Sequence, residues 1–312
     1  METDPAAPIF IVNPMSGAGR TKKRWPALKA AIVRGGLGDP QAMFTEYHGH
    51  GYGIAAAALE HGHRTIVAVG GDGTLNEVIS AVLDAGRAED VRIATIPMGT
   101  GKDVGKCLGI AEPARAIRAI SEGSERRLDV GRVASHDELG APITRYFLLE
   151  MSAGWIPEVS KSTPRLLKLL GDTAPYIITT FAKMLGPMNR EFEVAIDGEE
   201  FNGRYNSVSI HNMELWGGDM VAAPGAAPDD GLFDVIRWGP LSRRAVIGAV
   251  RGMQAGGSHL GTKGIDRHPA RAIALSSPKK SYLDMDGEPG GYLPARVEIL
   301  PGILRFLAPA RP

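Results

Sequence analysis

The feature that most constrains this chain is a short apolar run, residues 65–69 (TIVAV). It passes without a break into Gly70, Gly71, Asp72, Gly73 and Thr74, and then into an amphipathic stretch. Leu75, Val78, Ile79, Val82 and Leu83 recur at i, i+3, i+4, i+7 and i+8, the stripe of a helix lying on a sheet. Glycines let the main chain approach a ligand closely, and the N–H groups at a helix start attract phosphate. One such loop is as readily a tight turn as a phosphate cradle. The architecture recurs, however: residues 8–13 run into the loop PMSGAGR, and residues 91–97 run into Met98, Gly99, Thr100, Gly101. Three glycine loops at the carboxyl ends of strands in one parallel sheet share one rim, where open α/β sheets bind ligands.

No GxxxxGK[ST] occurs and no GxGxxG follows the first strand, which argues against a P-loop NTPase and a dinucleotide oxidoreductase. Asp72 and Asp103 instead set carboxylates among the backbone donors. A carboxylate beside phosphate repels it unless a cation lies between, so these positions suggest Mg²⁺ bridging to nucleotide phosphates; the alternative for each is a helix cap.

Composition narrows the field. The 312 residues balance 35 Lys+Arg against 35 Asp+Glu, so the chain lacks the basic footprint of a nucleic-acid binder, and no nucleic-acid partner is expected. One cysteine, Cys107, makes neither an internal disulfide nor a cysteine-rich zinc site, and suits a reducing cytoplasm. Residues 1–8 are acidic and proline-rich, and no apolar run approaches the roughly 20 residues of a spanning helix. Neither a leader nor a membrane span is expected, and any membrane contact is peripheral.

From about Leu128 the pattern changes to strands: residues 145–151, 191–196, 205–211, 232–238, 271–276 and 297–300, with helical stretches over 164–185 and 241–254. In the first part, helices are expected over 25–34 and 113–121. The segment VAIDGEEF reads as a two-residue hairpin turning at Asp197 and Gly198. The expected fold is α/β: a nucleotide-binding domain with a parallel sheet over residues 1–133, and a β-rich, sandwich-like domain over 134–312. A last strand at about 303–308 is assignable to either.

In order and spacing, NPMSGAGR (13–20), GGDGTLNEV (70–78), PMGTGKDV (97–104), LDVG (128–131), APDDGLFDV (227–235) and DGE (286–288) resemble the diacylglycerol kinase catalytic-domain family, which includes bacterial soluble lipid kinases and sphingosine kinases. GGDGT alone is shared with NAD kinases, but the later motifs belong to the lipid-kinase branch. The resemblance implies an ATP-dependent lipid kinase with its active site in the cleft between the two domains. By position, Asn13, Ser16, Gly17 and Arg20 line the triphosphate, Thr45 matches a nucleotide contact, and Gly70, Gly71, Asp72, Gly73, Thr74, Leu75, Asn76, Thr100 and Asp103 complete the ATP site. A structural Mg²⁺ is implied on the Asp230 carboxylate and the Ala227 and Leu232 carbonyls, joined through waters to Asp72, Asp103 and Asp129.

The segment Asp286, Gly287, Glu288 resembles the family's catalytic base. Phosphoryl transfer to an alcohol needs a carboxylate within hydrogen-bond reach of the hydroxyl. Asp286 is favoured as base, with Glu288 as the alternate, while the same tripeptide at Asp197 is read as a turn only. One departure stands out: the family shows Asn before the loop aspartate, where this chain has Lys102. Either Lys102 adds a phosphate contact, in which case Lys102→Ala raises the nucleotide KM, or it faces solvent.

The acceptor implied first is diacylglycerol, giving phosphatidic acid; a sphingoid base, another lipid alcohol, NAD, or a non-catalytic binding role remain open. The expected partners are a lipid at the membrane surface and, as an open alternative, a second copy of the chain in a homodimer. His48, His50, His61 and His63 lack a carboxylate or cysteine ligand pattern and read as solvated. Lys22, Lys23 and Arg24 read as a solvated face. The apolar run from Leu166 to Leu185 fits plain core and the wall of an acyl-chain cleft equally well.

Overall fold

Residues Ile9–Val12 (β1) are apolar and buried on both faces, as a strand in the middle of a parallel sheet must be. β1 pairs in parallel with Gln41–Phe44 (β2) on one side and Thr65–Gly70 (β3) on the other, and β3 pairs in parallel with Arg92–Pro97 (β4). The helices Arg20–Arg34 (α1), His50–Glu60 (α2), Asp72–Asp84 (α3), Asp103–Cys107 (α4) and Pro113–Glu122 (α5) follow the strands. Pro113 opens α5 at its first turn and Gly123 closes it in the left-handed conformation. The computed structural model describes residues 4–155, 157–158, 186–217 and 219–311. The chain divides into one unit of Met1–Asp129 with Gly302–Pro312, and another of Val130–Pro301.

Helix α1 begins five residues before the expected start and carries Pro26 inside it. Read alone, Pro26 marks a first turn. The glycine loop overrides it: N–H groups of Arg20, Thr21 and Lys22 donate to the carbonyls of Gly17, Ser16 and Pro14, and the Thr21 hydroxyl also donates to Ser16 O. The loop thereby winds the helix backward past the proline.

The second unit is antiparallel. Glu125–His136 (β5) crosses into it and pairs with Pro142–Phe147 (β6); Glu150–Gly154 (β7) follows. Arg190–Ile196 (β8), Glu199–Glu200 (β9), Gly203–Tyr205 (β10) and Ser207–His211 (β11) come next, then the short pair Leu215–Trp216 (β12) and Met220–Val221 (β13). Phe233–Trp238 (β14), helix Arg243–Gln254 (α6), Ile265–Ala270 (β15), Ala272–Ser276 (β16), Tyr282–Met285 (β17) and Glu288–Leu307 (β18) complete it. One layer runs β15, β14, β11, β7, β17; β8, β16 and the middle of β18 form another.

Met151, Ile210, Val235 and Leu283 from the first of these layers meet Phe192, Val194, Ile273 and Val297 from the second in one core, so the unit is a β-sandwich. In β8 the burial alternates as the sequence predicts, with Phe192, Val194 and Ile196 turned inward.

Two expected strands are revised. Residues 145–151 are not one strand: the ladder breaks at Leu148 and Leu149, whose N–H groups point to a distant carboxylate. The pieces expected at 297–300 and 303–308 are one strand, β18, which tolerates Pro289, Pro294 and Pro301 while changing partners from β17 to β16; its end, in the first unit, pairs with β4. The helical stretch expected over 164–185 lies outside the described residues. No helix among the described residues is long and apolar enough to cross a membrane.

Candidate active site

Because β1, β3 and β4 are parallel neighbours, their three following loops emerge on one rim of the first unit, and glycine backbones pack them together. A Cβ placed on Gly99 would lie 2.5 Å from Gly71 Cα, and one on Gly17, whose φ is +61°, would lie 2.7 Å from Met98 O. Met98 and Gly99 both donate N–H to Gly70 O, at 2.7 and 3.0 Å. Asn13 spans two loops, its Nδ2 donating to Thr74 Oγ1 at 3.1 Å while its Oδ1 accepts from Met15 N–H. Gly70 is held against the Thr74 side chain.

The rim is left open to an anion. Helix α3 begins after Gly71 with no side-chain cap on its N–H groups, whereas the first N–H groups of α1 are taken by the carbonyls of its own loop. Ser16 Oγ is buried beside Gly71 with no hydrogen-bond partner among the described residues. Space kept clear by glycines, the uncapped start of α3 and an orphaned hydroxyl fit a polyphosphate. Arg20 lies next to them, its Nε donating to Gly17 O at 2.7 Å. Thr45 is buried at the end of β2 with its N–H on Val12 O. Leu75 and Thr74 are buried in α3, and Asn76 accepts from the Ser80 hydroxyl. Gly73 lies in the first turn of α3, and Thr100 is exposed in the third loop.

Asp72 and Asp103 both stand at the first positions of helices, where carboxylates are favoured. Neither is the N-cap residue. The Asp103 N–H donates to Asp72 Oδ2 at 3.1 Å, and a Cβ on Gly101 would stand 3.4 Å from Asp103 Oδ2 and 3.6 Å from Asp72 Oδ2. Asp103 is buried and paired with Lys106 at 3.0 Å. Two carboxylates converging on a glycine form the kind of oxygen-rich corner that suits Mg²⁺. Asp129 is buried and accepts the Gly302 N–H at 2.6 Å, which ties the returning C-terminal segment into the first unit.

Lys102 has φ 55° and ψ 32°, the left-handed region. Asn is among the side chains that enter this region most readily, whereas a long aliphatic stem pays about 1 kcal/mol or more. The departure from the family pattern is thus a backbone matter as well as a matter of charge. Lys102→Asn is expected to stabilise the protein by about 1 kcal/mol in denaturant unfolding; a loss of stability would show that the lysine side chain holds the loop.

Glu77 escaped the sequence reading. Its carboxylate takes the N–H groups of Gly49 and Gly51, both at 2.8 Å, and so caps α2 from α3. Its place in GGDGTLNEV is explained by that clamp. Among the histidines, His50 accepts from Glu46 N–H, His61 faces the Ala57 carbonyl, and His63 is buried. No group of three or more His, Cys, Asp or Glu side chains able to hold a metal occurs among the described residues.

In the second unit, β17 and β18 are joined by a two-residue turn in which Asp286 (φ 51°) and Gly287 (φ 80°) are both left-handed, with Met285 paired to Glu288. Asp197 (φ 48°) and Gly198 (φ 89°) form the same turn between β8 and β9. The two tripeptides are alike in backbone, and even the carboxylates act alike: Asp197 accepts the N–H groups of Arg271 and Ala272, while Asp286 accepts three, from Leu148, Leu149 and Glu150, at 2.9, 2.9 and 3.0 Å. Those three bonds are why β6 and β7 are separate strands. Asp286, half-buried, holds three backbone N–H groups, and Glu288, exposed at the start of β18, is the more exposed carboxylate of the turn.

The Asp230 loop is tight. Asp230 is exposed, its Oδ1 accepts the Leu232 N–H at 2.9 Å across Gly231 at φ 73°, and Ala227 is buried. This fits one carboxylate of a Mg²⁺ site completed by carbonyls and water. Nearby Asp234 has its carboxyl raised by burial, opposed by Arg267 at 2.6 Å and reinforced by the Asp230 charge.

Deeper in the same unit, burial drives the His211 imidazole down to about 3, with His259 and Arg267 adding to it. A histidine lowered from its ordinary 6.5 stays neutral in the fold and charges in the unfolded chain, so its stabilisation is present above pH 6.5 and is lost as pH falls toward 3. Tm is expected to fall over that window, by up to about 1.4 kcal/mol of stability per pH unit, and to fall less in His211→Asn. Equal slopes in both proteins would refute this.

Comparison with known proteins agrees with the geometry. The chain matches the diacylglycerol kinase catalytic domain over residues 7–133 and the YegS C-terminal NAD kinase beta sandwich-like domain over 151–308. It is 31% identical to a diacylglycerol kinase of Staphylococcus saprophyticus over 91% of this chain and 90% of that protein, and 30% identical to one of Staphylococcus aureus over 92% and 87%. In fold it is similar to a diacylglycerol kinase structure from Bacillus anthracis, at 22% identity and a TM-score of 0.71 over 97% of this chain and 96% of that one. Yeast NADH kinase shares the fold more distantly, with a TM-score of 0.50 at 11% identity, over 99% of this chain and 85% of that one. A glycine rim open to phosphate, a β-sandwich carrying a turn with an exposed glutamate, and relatives matched along nine-tenths of their length lead to one conclusion: the chain belongs to the diacylglycerol kinase family.

Proposed function

We propose that the protein transfers the γ-phosphoryl group of Mg·ATP to the hydroxyl of a neutral glycerolipid, diacylglycerol first, giving phosphatidic acid. The observation that carries this reading is the rim of the first unit, where Ser16 Oγ is buried without a partner beside glycines that hold space clear. Ser16, Gly17 and the N–H groups at the start of α3 bind the phosphates, and Arg20 offsets their charge. Asp72 and Asp103 are the carboxylates for a Mg²⁺ that would neutralise charge on the transferring group, and Asp230, with the Ala227 and Leu232 carbonyls, would hold a structural Mg²⁺ of its own unit.

The base in this reading is Glu288 rather than Asp286. Asp286 accepts three backbone N–H groups, two of them on Oδ1, and fixes the turn, whereas Glu288 is exposed and two residues further on. Its carboxylate takes the proton of the acceptor hydroxyl as the new P–O bond forms and the bond from the γ-phosphorus to the bridging oxygen breaks, ADP leaving with that oxygen. The test is an acceptor panel: with Mg·ATP, micellar diacylglycerol is phosphorylated and NAD is not. Phosphorylation of NAD alone would make the protein a nucleotide kinase on the same fold.

A further inference from the structure

Strand β2 is the outermost strand of the first unit's parallel sheet: β1 covers one side of it, and no strand among the described residues pairs with the other. Half of its backbone N–H and C=O groups therefore have no ladder partner. Open edges commonly carry a lysine, a proline or a bulge that keeps other strands away. β2 has none of these. Its residues Gln41, Ala42, Met43 and Phe44 are uncharged, and the register with β1 runs unbroken from Ile9 beside Gln41 to Val12 beside Phe44.

The surroundings of this edge are apolar. Among the described residues seven large apolar or aromatic side chains are exposed, and five of them, Val33, Met43, Phe44, Tyr47 and Tyr52, fall within residues 33–52. Met43 is 40% exposed and Phe44 44%, and the Trp25 ring of α1 stands edge-on to the Phe44 ring at 5.5 Å. Large aromatic side chains beside an open strand suit an interface, where they bury much area each.

The charges around the strand point to the partner. At its carboxyl end α1 carries Lys22, Lys23 and Arg24, all exposed, and Lys22 lies one turn before Trp25 on the same side of the helix. No acidic residue occurs in α1, and cations in a first turn oppose the helix dipole, so the cluster persists against a local cost. Glu46 offsets one of the three charges. At the amino end stand Asp39, exposed although paired with Lys29 of its own chain, and Asp4, whose main chain is bonded to the Gln41 side chain. A strand with a basic end and an acidic end complements itself when a second copy runs antiparallel to it. A bilayer would take up the apolar side chains but leave the open backbone groups unsatisfied.

We propose that β2 is a docking edge for a second copy of this chain. The two strands pair antiparallel about a twofold axis, Gln41 opposite Phe44 and Ala42 opposite Met43 of the other copy, and join the two parallel sheets into one. Lys22 of each copy then lies level with Asp39 of the other. No residue of the glycine rim takes part, so the interface stands or falls apart from the kinase reading.

The test is the molar mass of the full chain by sedimentation equilibrium, with Tm measured alongside, for the wild type, Met43→Lys, Lys22→Glu and Asp39→Lys. The wild type is expected at twice the mass of one chain. Met43→Lys sets two ammonium groups beside the axis and weakens the dimer by about 30-fold or more, with the variant still folded. Lys22→Glu and Asp39→Lys each weaken it by about 3- to 10-fold, and an equimolar mixture of the two recovers it, because both contacts of the mixed dimer again join opposite charges. Should Met43→Lys fail to fold, the mixing experiment decides the matter. A wild type that stays monomeric up to about 0.1 mM would overturn the interface. A dimer that Met43→Lys leaves intact, or a mixture that shows no recovery, would place the contact on another face and overturn it equally. A monomeric wild type that sediments with phosphatidylcholine and phosphatidylglycerol vesicles, and loses them in Met43→Lys, would give the patch to a membrane instead of a second copy.

Discussion

Glu288→Gln is expected to lower kcat by about 10²- to 10⁴-fold while leaving the fold and Mg·ATP affinity unchanged. The side chain is exposed at the first residue of β18, so the amide costs no packing, and it belongs to none of the three glycine loops. What it loses is the capacity to accept a proton. If turnover persists within a few-fold of wild type, the proton goes elsewhere, and the role first expected of Asp286 becomes the reading to pursue.

Asp286→Ala should behave differently, destabilising the protein by about 3–5 kcal/mol in denaturant unfolding. Its carboxylate accepts the N–H groups of Leu148, Leu149 and Glu150, all of them residues no more than 5% exposed. An unsatisfied buried donor costs about 1–3 kcal/mol, and alanine at φ 51° adds strain that aspartate bears more readily. Asp286→Asn keeps an acceptor oxygen and tolerance of the left-handed region, so its loss is expected to be smaller. A stable but inactive Asp286→Asn would return the base to Asp286, whereas an unstable Asp286→Ala beside a stable, inactive Glu288→Gln separates architecture from chemistry.

The parts legible in the sequence are those whose physics is local. Strand runs into glycine loops at 13–20, 70–74 and 98–103 are written in consecutive residues, and the parallel sheet puts them on one rim. The helix stripe of Leu75, Val78, Ile79 and Val82 and the Asp197–Gly198 hairpin are of the same kind.

What escaped depends on partners far along the chain. RYFLLEM reads as one strand, and only an acceptor 136 to 138 residues away breaks it. The two DGE tripeptides have the same backbone, so propensity could not tell them apart; what differs is which N–H groups each carboxylate receives. The Ser-Val-Ser-Ile-His alternation of β11 predicts a wet polar face, and the fold buries it. Lys102 hid a conformational demand behind an apparent change of charge, since the family's Asn is suited to the left-handed φ this loop imposes.

The most direct measurement is transfer of label from γ-labelled and, separately, α-labelled Mg·ATP to micellar diacylglycerol by the purified protein and by Glu288→Gln. Labelled phosphatidic acid from the γ-labelled nucleotide alone, lost in Glu288→Gln, is the predicted result. Absence of labelled lipid with the folded wild-type protein, or transfer undiminished in Glu288→Gln, would contradict the account.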